Sequence, residues 1–152
     1  MVREAHASPT MGFFIDMITR DIGLEDCILD LLDNCVDGAG KTLAREGRSS
    51  RTETAYEAFH VHIDISKDQF RIRDNCGGIS ISEAIDYAFH FGRREDAPEI
   101  EDFAIGLYGI GMKRAIFKIG KQIQIHSSTS QEAFIVDIDV PAWRNRPNHL
   151  GI

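Results

Sequence analysis

The sequence predicts an α+β fold, a two-layer sandwich in which a mixed, mostly antiparallel sheet is covered on one face by helices. Three observations carry that prediction. Leu24, Cys27, Ile28, Leu31, Leu32, Cys35 and Val36 fall at i, i+3, i+4, i+7, i+8, i+11 and i+12, so residues 24–36 form a helix with one apolar face. Phe59, Val61, Ile63 and Ile65 alternate with His60, His62 and Asp64, the period of a half-buried strand. The elements then run helix, two strands, helix, loop, helix, two strands, an order that suggests an α+β sandwich with an antiparallel or mixed sheet covered on one face.

The elements follow in turn. Residues 1–10 read as a loose end, and residues 11–20 as a short helix through Phe14, Ile15 and Ile18. After the 24–36 helix, Gly38 and Gly40 stand where a helix should stop or loosen. Residues 41–58 are polar and mixed, either a helical continuation or a surface excursion. Residues 66–69 form a turn between the alternating strand and a second strand at 70–73. Ser80 and Glu83 make a capping box for a helix carrying Ile81, Ile85, Ala88 and Phe89, with Gly92 as its C-cap. Residues 93–102 are charged, lack periodicity and contain Pro98, so they read as a mobile loop. Residues 106–111 are a glycine-rich turn into a helix with Met112, Ala115, Ile116 and Ile119, closed by Gly120. Residues 121–127 and 133–140 pair around a Ser/Thr-rich hairpin.

At 152 residues the chain is one domain, residues 1–152. Its net charge of −7 argues against nucleic-acid binding through this domain's own charge, since phosphate neutralisation needs clustered Lys and Arg. No apolar run approaches the roughly 20 residues that span a bilayer, and no basic-then-apolar leader opens the chain. Cys27, Cys35 and Cys76 are odd in number and form no CxxC pair, which disfavours a disulfide framework or zinc knuckle. A reducing, cytoplasmic setting and no membrane partner are the expectations.

Three segments carry chemistry. Asp30, Asn34 and Asp37 share a stripe opposite the apolar face of the first long helix. Such a stripe is an ordinary solvated face, but carboxylate and amide oxygens also suit Mg²⁺, and a carboxylate beside that ion can orient or deprotonate a water. Asp74-Asn75-Cys76-Gly77-Gly78-Ile79 ends a strand. It serves as a plain turn, or as a loop whose glycines admit a ligand while Asp74 accepts from an exocyclic amine. Gly106, Gly109 and Gly111, with Ile110 between and Lys113 after, open a helix whose free N–H groups can hold phosphate. This is no Walker A loop, because no Ser or Thr follows Lys113, and no dinucleotide fingerprint, because Arg114 replaces the third glycine.

In this order and spacing the segments resemble the GHKL superfamily, which includes DNA gyrase B subunits, MutL proteins, heat-shock-90 chaperones, MORC ATPases and sensor histidine kinases. The nearest likeness is to the MORC and chaperone-type ATP-binding domains, through residues 105–120. Asp30 to Asp37 resembles the first box, an acid, three residues, Asn, two residues, Asp. Asp74 to Gly78 resembles D-x-G-x-G, and Gly106 to Gly111 resembles G-x-x-G-x-G. The resemblance runs from about residue 24 to 140. It implies a Bergerat-type ATP-binding fold with ATP and Mg²⁺ as ligands. Asn34 would ligate the metal and Asp74 would bind the adenine amino group, while Asp37, Gly78 and Ile79 line the nucleotide site. Gly106, Gly109, Ile110, Gly111 and Lys113 would hold the phosphates, and residues 93–105 would be the ATP lid. It also implies slow hydrolysis, a homodimer on nucleotide binding, and a downstream domain or protein partner. Asp30 stands where hydrolytic members carry the general base, as the catalytic residue.

Two departures matter. That base is usually Glu, one methylene longer than Asp30, and Cys76 replaces the first glycine of the second box. The chain also ends soon after its last strand where relatives continue, which raises truncation as an expectation. Asp30 keeps a non-hydrolysing sensor or structural module open as the alternative. A histidine-kinase reading ranks third, because no acceptor-His helix precedes the first box. Elsewhere, His60 and His62 read as exposed strand positions, Cys27 and Cys35 as core, Trp143 as a packing anchor, and Arg93 and Arg94 as a solvated pair.

Overall fold

The computed structural model describes residues 10–85 and 110–144. Within them the first helix, α1, spans Met11–Thr19. Thr10 starts it by accepting the Phe13 N–H at 3.2 Å, which satisfies a donor that has no partner inside the helix. Lys118 Nζ donates to Thr19 O at 3.0 Å, placing a cation on the carbonyl end.

The second helix, α2, spans Leu24–Arg45, longer than the apolar periodicity alone outlines. The expected stop at Gly38 and Gly40 is corrected, because both lie inside it. A Cβ on Gly38 would meet Cys76 O at 3.1 Å, so this glycine lets a neighbouring loop approach the helix. The stop falls at Gly47, with φ +67°. There the Gly47 N–H donates to Ala44 O at 3.1 Å and the Arg48 N–H to Leu43 O at 2.9 Å, the bond pattern of a Schellman C-cap. Residues 46–60 then make a surface excursion, anchored by buried Ala55 and by Arg48, which donates to Ala55 O at 3.4 Å.

Strands β1 (Val61–Ile65) and β2 (Phe70–Asp74) pair antiparallel, Val61 opposite Asp74 and Ile65 opposite Phe70. Strands β3 (Gln122–Ser128) and β4 (Ala133–Asp139) form a second antiparallel pair. Among the described residues the strands thus make two separate ladders, and the α+β class holds. Helix α3 begins at Ile81–Glu83 through the predicted capping box: Ser80 Oγ accepts the Glu83 N–H at 3.1 Å and Glu83 Oε2 accepts the Ser80 N–H at 2.9 Å. Ala88, Phe89 and Gly92, assigned to the rest of that helix, lie outside the described residues, as do residues 1–9 and the predicted lid at 93–105. Helix α4 spans Ile110–Ile119 and α5 spans Val140–Arg144.

The core follows the apolar periodicities. Ile15, Phe117, Ile138 and Val140 join α1, α4 and the second ladder, with Ile123 and Val136 packed against them. Trp143 stacks on Phe117 at 5.5 Å between ring centroids, the anchoring role read from sequence. Ile22, Cys27 and Ala115 seal α2 against α4. Cys35, Ala39 and Cys76 close the far end of α2 against Phe59, Val61 and Ile72. Among the described residues no helix is long and apolar enough to cross a membrane.

Candidate functional site

Helix α2 is the spine of the site, because it touches both of the other sequence segments. Eight residues separate Asp30 from Gly38, about 12 Å along the axis at 1.5 Å per residue. At the Asp30 end it meets the first turn of α4, where a Cβ on Gly111 would sit 3.4 Å from Asp30 Cγ. At the Gly38 end it meets the Asp74–Ile79 loop, where Thr42 Oγ1 donates to Cys76 O at 3.0 Å.

Asp30 is engaged rather than open. Arg114 Nε donates to its Oδ2 at 2.6 Å and Arg114 Nη2 to its Oδ1 at 2.8 Å, a bidentate fork. The Asp30 side chain is 15% exposed and that of Arg114 is 41% exposed. The hydrogen bond to Asp30 is the main cause that holds the Arg114 guanidinium above its ordinary value. Asn34 sits one turn on, exposed, with its Nδ2 donating to Asp30 O at 2.6 Å. That bond fixes the amide and leaves its carbonyl oxygen as an acceptor. Asp37 is half-buried one turn further along the same stripe.

Asp74 ends β2, and its Oδ1 accepts the Cys76 N–H at 2.8 Å, an Asx-type turn. Its carboxylate also faces two buried thiols. Burial first, and the Asp74 charge second, push Cys35 up to about 12 and Cys76 up to about 11. Cys76 is therefore a buried thiol held in its protonated, unreactive form. Gly77 and Gly78 take φ +113° and +65°, backbone that favours glycine. Gly78 has a packing reason as well: a Cβ there would fall 2.3 Å from Ser128 O at the end of β3. Next to it the Ile79 N–H donates to Ser127 Oγ at 2.8 Å, and Ser127 Oγ donates to Ile79 O at 2.9 Å.

In α4, Ile110 is exposed and Gly111 half-buried, while Lys113 is 4% exposed. Burial lowers the Lys113 ammonium below its ordinary value. Gly106 and Gly109 lie outside the described residues. A hollow of about 320 Å³ lined by His60, His62, Arg73 and Asp74 shares only Asp74 with the residues picked from sequence, so the assignment of the site rests on the α2 contacts instead. His60 and His62 are exposed with rings 5.2 Å apart, and no metal-binding cluster of three or more His, Cys, Asp or Glu occurs among the described residues.

Sequence reasoning missed three contributors. These are Arg114, Thr42 and Ser127. Each acts through a partner far along the chain, 84, 34 and 48 residues away, which no local pattern reveals.

The α+β domain thus carries an acid–amide stripe on α2, which meets the Asp74–Ile79 loop at one end and the start of α4 at the other. The family described as histidine kinase-, DNA gyrase B-, and HSP90-like ATPase matches residues 22–149, and the chain belongs to it. No curated protein and no solved structure matches the chain.

Proposed function

We propose that this domain binds Mg-ATP along α2, adenine at Asp74 and phosphates at the first turn of α4, and hydrolyses it slowly to drive a conformational or dimerisation switch. The observation that carries this reading is the spacing on α2. The Asp74 loop and the α4 start touch the same helix about 12 Å apart, a span that a nucleoside triphosphate bridges. In this arrangement the Asp74 carboxylate accepts from the exocyclic amine, with Gly78 and Ile79 beside the base. Gly106, Gly109, Ile110 and Gly111 offer backbone N–H groups to phosphate, and Lys113 adds charge. The group fits the donor set: an amide oxygen from Asn34 and the nearby carboxylate of Asp37 suit a hard cation that keeps waters and phosphate oxygens as further ligands. Mg²⁺ there would neutralise charge on the phosphates. Residues 93–105 would close over the bound nucleotide.

Calorimetry with Mg-ATP tests this. Binding to the full chain, weakened at least tenfold by Asp74→Asn, supports it; folded protein that gives no heat ends it.

A second reading, a module that binds ATP without turning it over, draws support from the Asp30–Arg114 fork. Phosphate release separates the two: turnover abolished by Asp30→Asn favours the hydrolase, and binding without turnover favours the module.

A further inference from the structure

We propose that Arg114 is a positioning residue that latches Asp30 away from the attacking water, so that the two must part before ATP is hydrolysed. The inference rests on the function proposed above. Hydrolysis requires a water oxygen to bond to the γ-phosphorus while the bond from that phosphorus to the bridging oxygen breaks. ADP leaves with the bridging oxygen, and the water's proton passes to the Asp30 carboxylate.

The geometry opposes that proton transfer. The fork takes one hydrogen bond on each carboxylate oxygen, at 2.6 and 2.8 Å. A guanidinium is always charged and presents both donors of the fork in one rigid plane. Asp30 is also drawn to α4, its carboxyl group against Gly111, and lacks the extra methylene that would let it reach elsewhere while bound. The charges around the pair do not release it. Asp26 and Cys27 lie on the Asp30 side, where a carboxylate favours the Arg114 charge, and Lys118 lies one turn along α4. The Arg114 side chain is 41% exposed and that of Asp30 15%, so the arginine is the partner that solvent and a bound anion can reach. A γ-phosphate at the start of α4 offers Arg114 a competing anion, and the exchange would release Asp30 only when the triphosphate is present.

The test uses the full chain and its Arg114→Gln and Arg114→Lys variants, with Mg-ATP affinity measured by calorimetry and kcat and KM by phosphate release. Opening a half-exposed ion pair corresponds to roughly a fivefold change in rate, about 1 kcal/mol. Arg114→Gln is expected to raise kcat about fivefold with KM within twofold, and Arg114→Lys, which keeps the charge but not the fork, to fall between. Adding Asp30→Asn to Arg114→Gln abolishes the gain. A purely structural role would lower kcat and affinity together, and equal or lower kcat with affinity intact overturns the latch. If Arg114→Gln fails to fold, Arg114→Lys decides by the same criterion: a rise supports the latch, a flat or lower kcat ends it. Wild-type protein that binds no Mg-ATP defeats the functional reading and the latch with it, whereas binding with unchanged kcat defeats the latch alone.

Discussion

Gly78→Ala separates two costs that usually arrive together. Gly78 has φ +65° and would place a Cβ 2.3 Å from Ser128 O. Gly47 has nearly the same backbone, φ +67°, but a Cβ there meets nothing within 4 Å. Gly47→Ala therefore measures the left-handed penalty alone, about 1–2 kcal/mol. Gly78→Ala carries that penalty and adds overlap with a backbone carbonyl, which cannot swing aside as a side-chain tip can. Relieving it means moving the loop off β3, stretching the paired Ser127–Ile79 hydrogen bonds at 2.8 and 2.9 Å. Overpacking of this kind costs a further 1–3 kcal/mol or so, giving a total of about 2–5 kcal/mol. Urea unfolding followed by far-UV circular dichroism, with wild type and both variants at constant m-value, reads the difference directly. Gly78→Ala no more destabilising than Gly47→Ala would refute the claim that the loop is seated on Ser128.

Three more outcomes follow from the charges and the burial. Cys35 and Cys76 are held protonated in the fold up to about 12 and about 11, against 9.0 for a free thiol. A raised folded value means stability is complete below about pH 9 and is lost as pH climbs toward 11–12, because the unfolded chain sheds protons the native chain keeps. Unfolding free energy should thus decline with pH in that window and decline less in Cys35→Ala, and at pH 8 a disulfide reagent should label these thiols only after urea is added; rapid labelling of the native protein contradicts the burial. Lys113→Met, similar in length but uncharged, should weaken Mg-ATP binding at least tenfold, since hydrogen bonds to charged groups contribute roughly 1.5–3 kcal/mol, and unchanged affinity would remove Lys113 from the phosphate site.

Most of the element order was legible because it rests on local periodicity. The α2 face, the alternation of β1, the Ser80–Glu83 box and the hairpin at Ser128–Ala133 each write themselves into a few consecutive residues. Gly38 misled because glycine has two meanings inside a helical pattern, termination and close approach, and only the loop at Cys76 distinguishes them. The length of α2 was hidden for the same reason. The Asp30, Asn34 and Asp37 stripe was legible because the spacing i, i+4, i+7 puts the three on one side of a helix whatever the rest of the fold does. What holds them was not. The Asp30–Arg114 fork joins two helices, and neither helix's sequence names its partner. Nor does any sequence signal pair Ser127 with Ile79 or set two thiols around Asp74, since these depend on how β3 and α2 pack against one loop.

The central claim is that one nucleotide lies along α2 from the Asp74 loop to the first turn of α4. A crystal structure of the full chain with Mg²⁺ and a non-hydrolysable ATP analogue measures it. The account predicts an adenine amine on Asp74, the metal on Asn34 and phosphate oxygens at Gly111 and Lys113. An analogue that touches neither Asn34 nor the first turn of α4, for instance one confined to the hollow lined by His60, His62, Arg73 and Asp74, would contradict it.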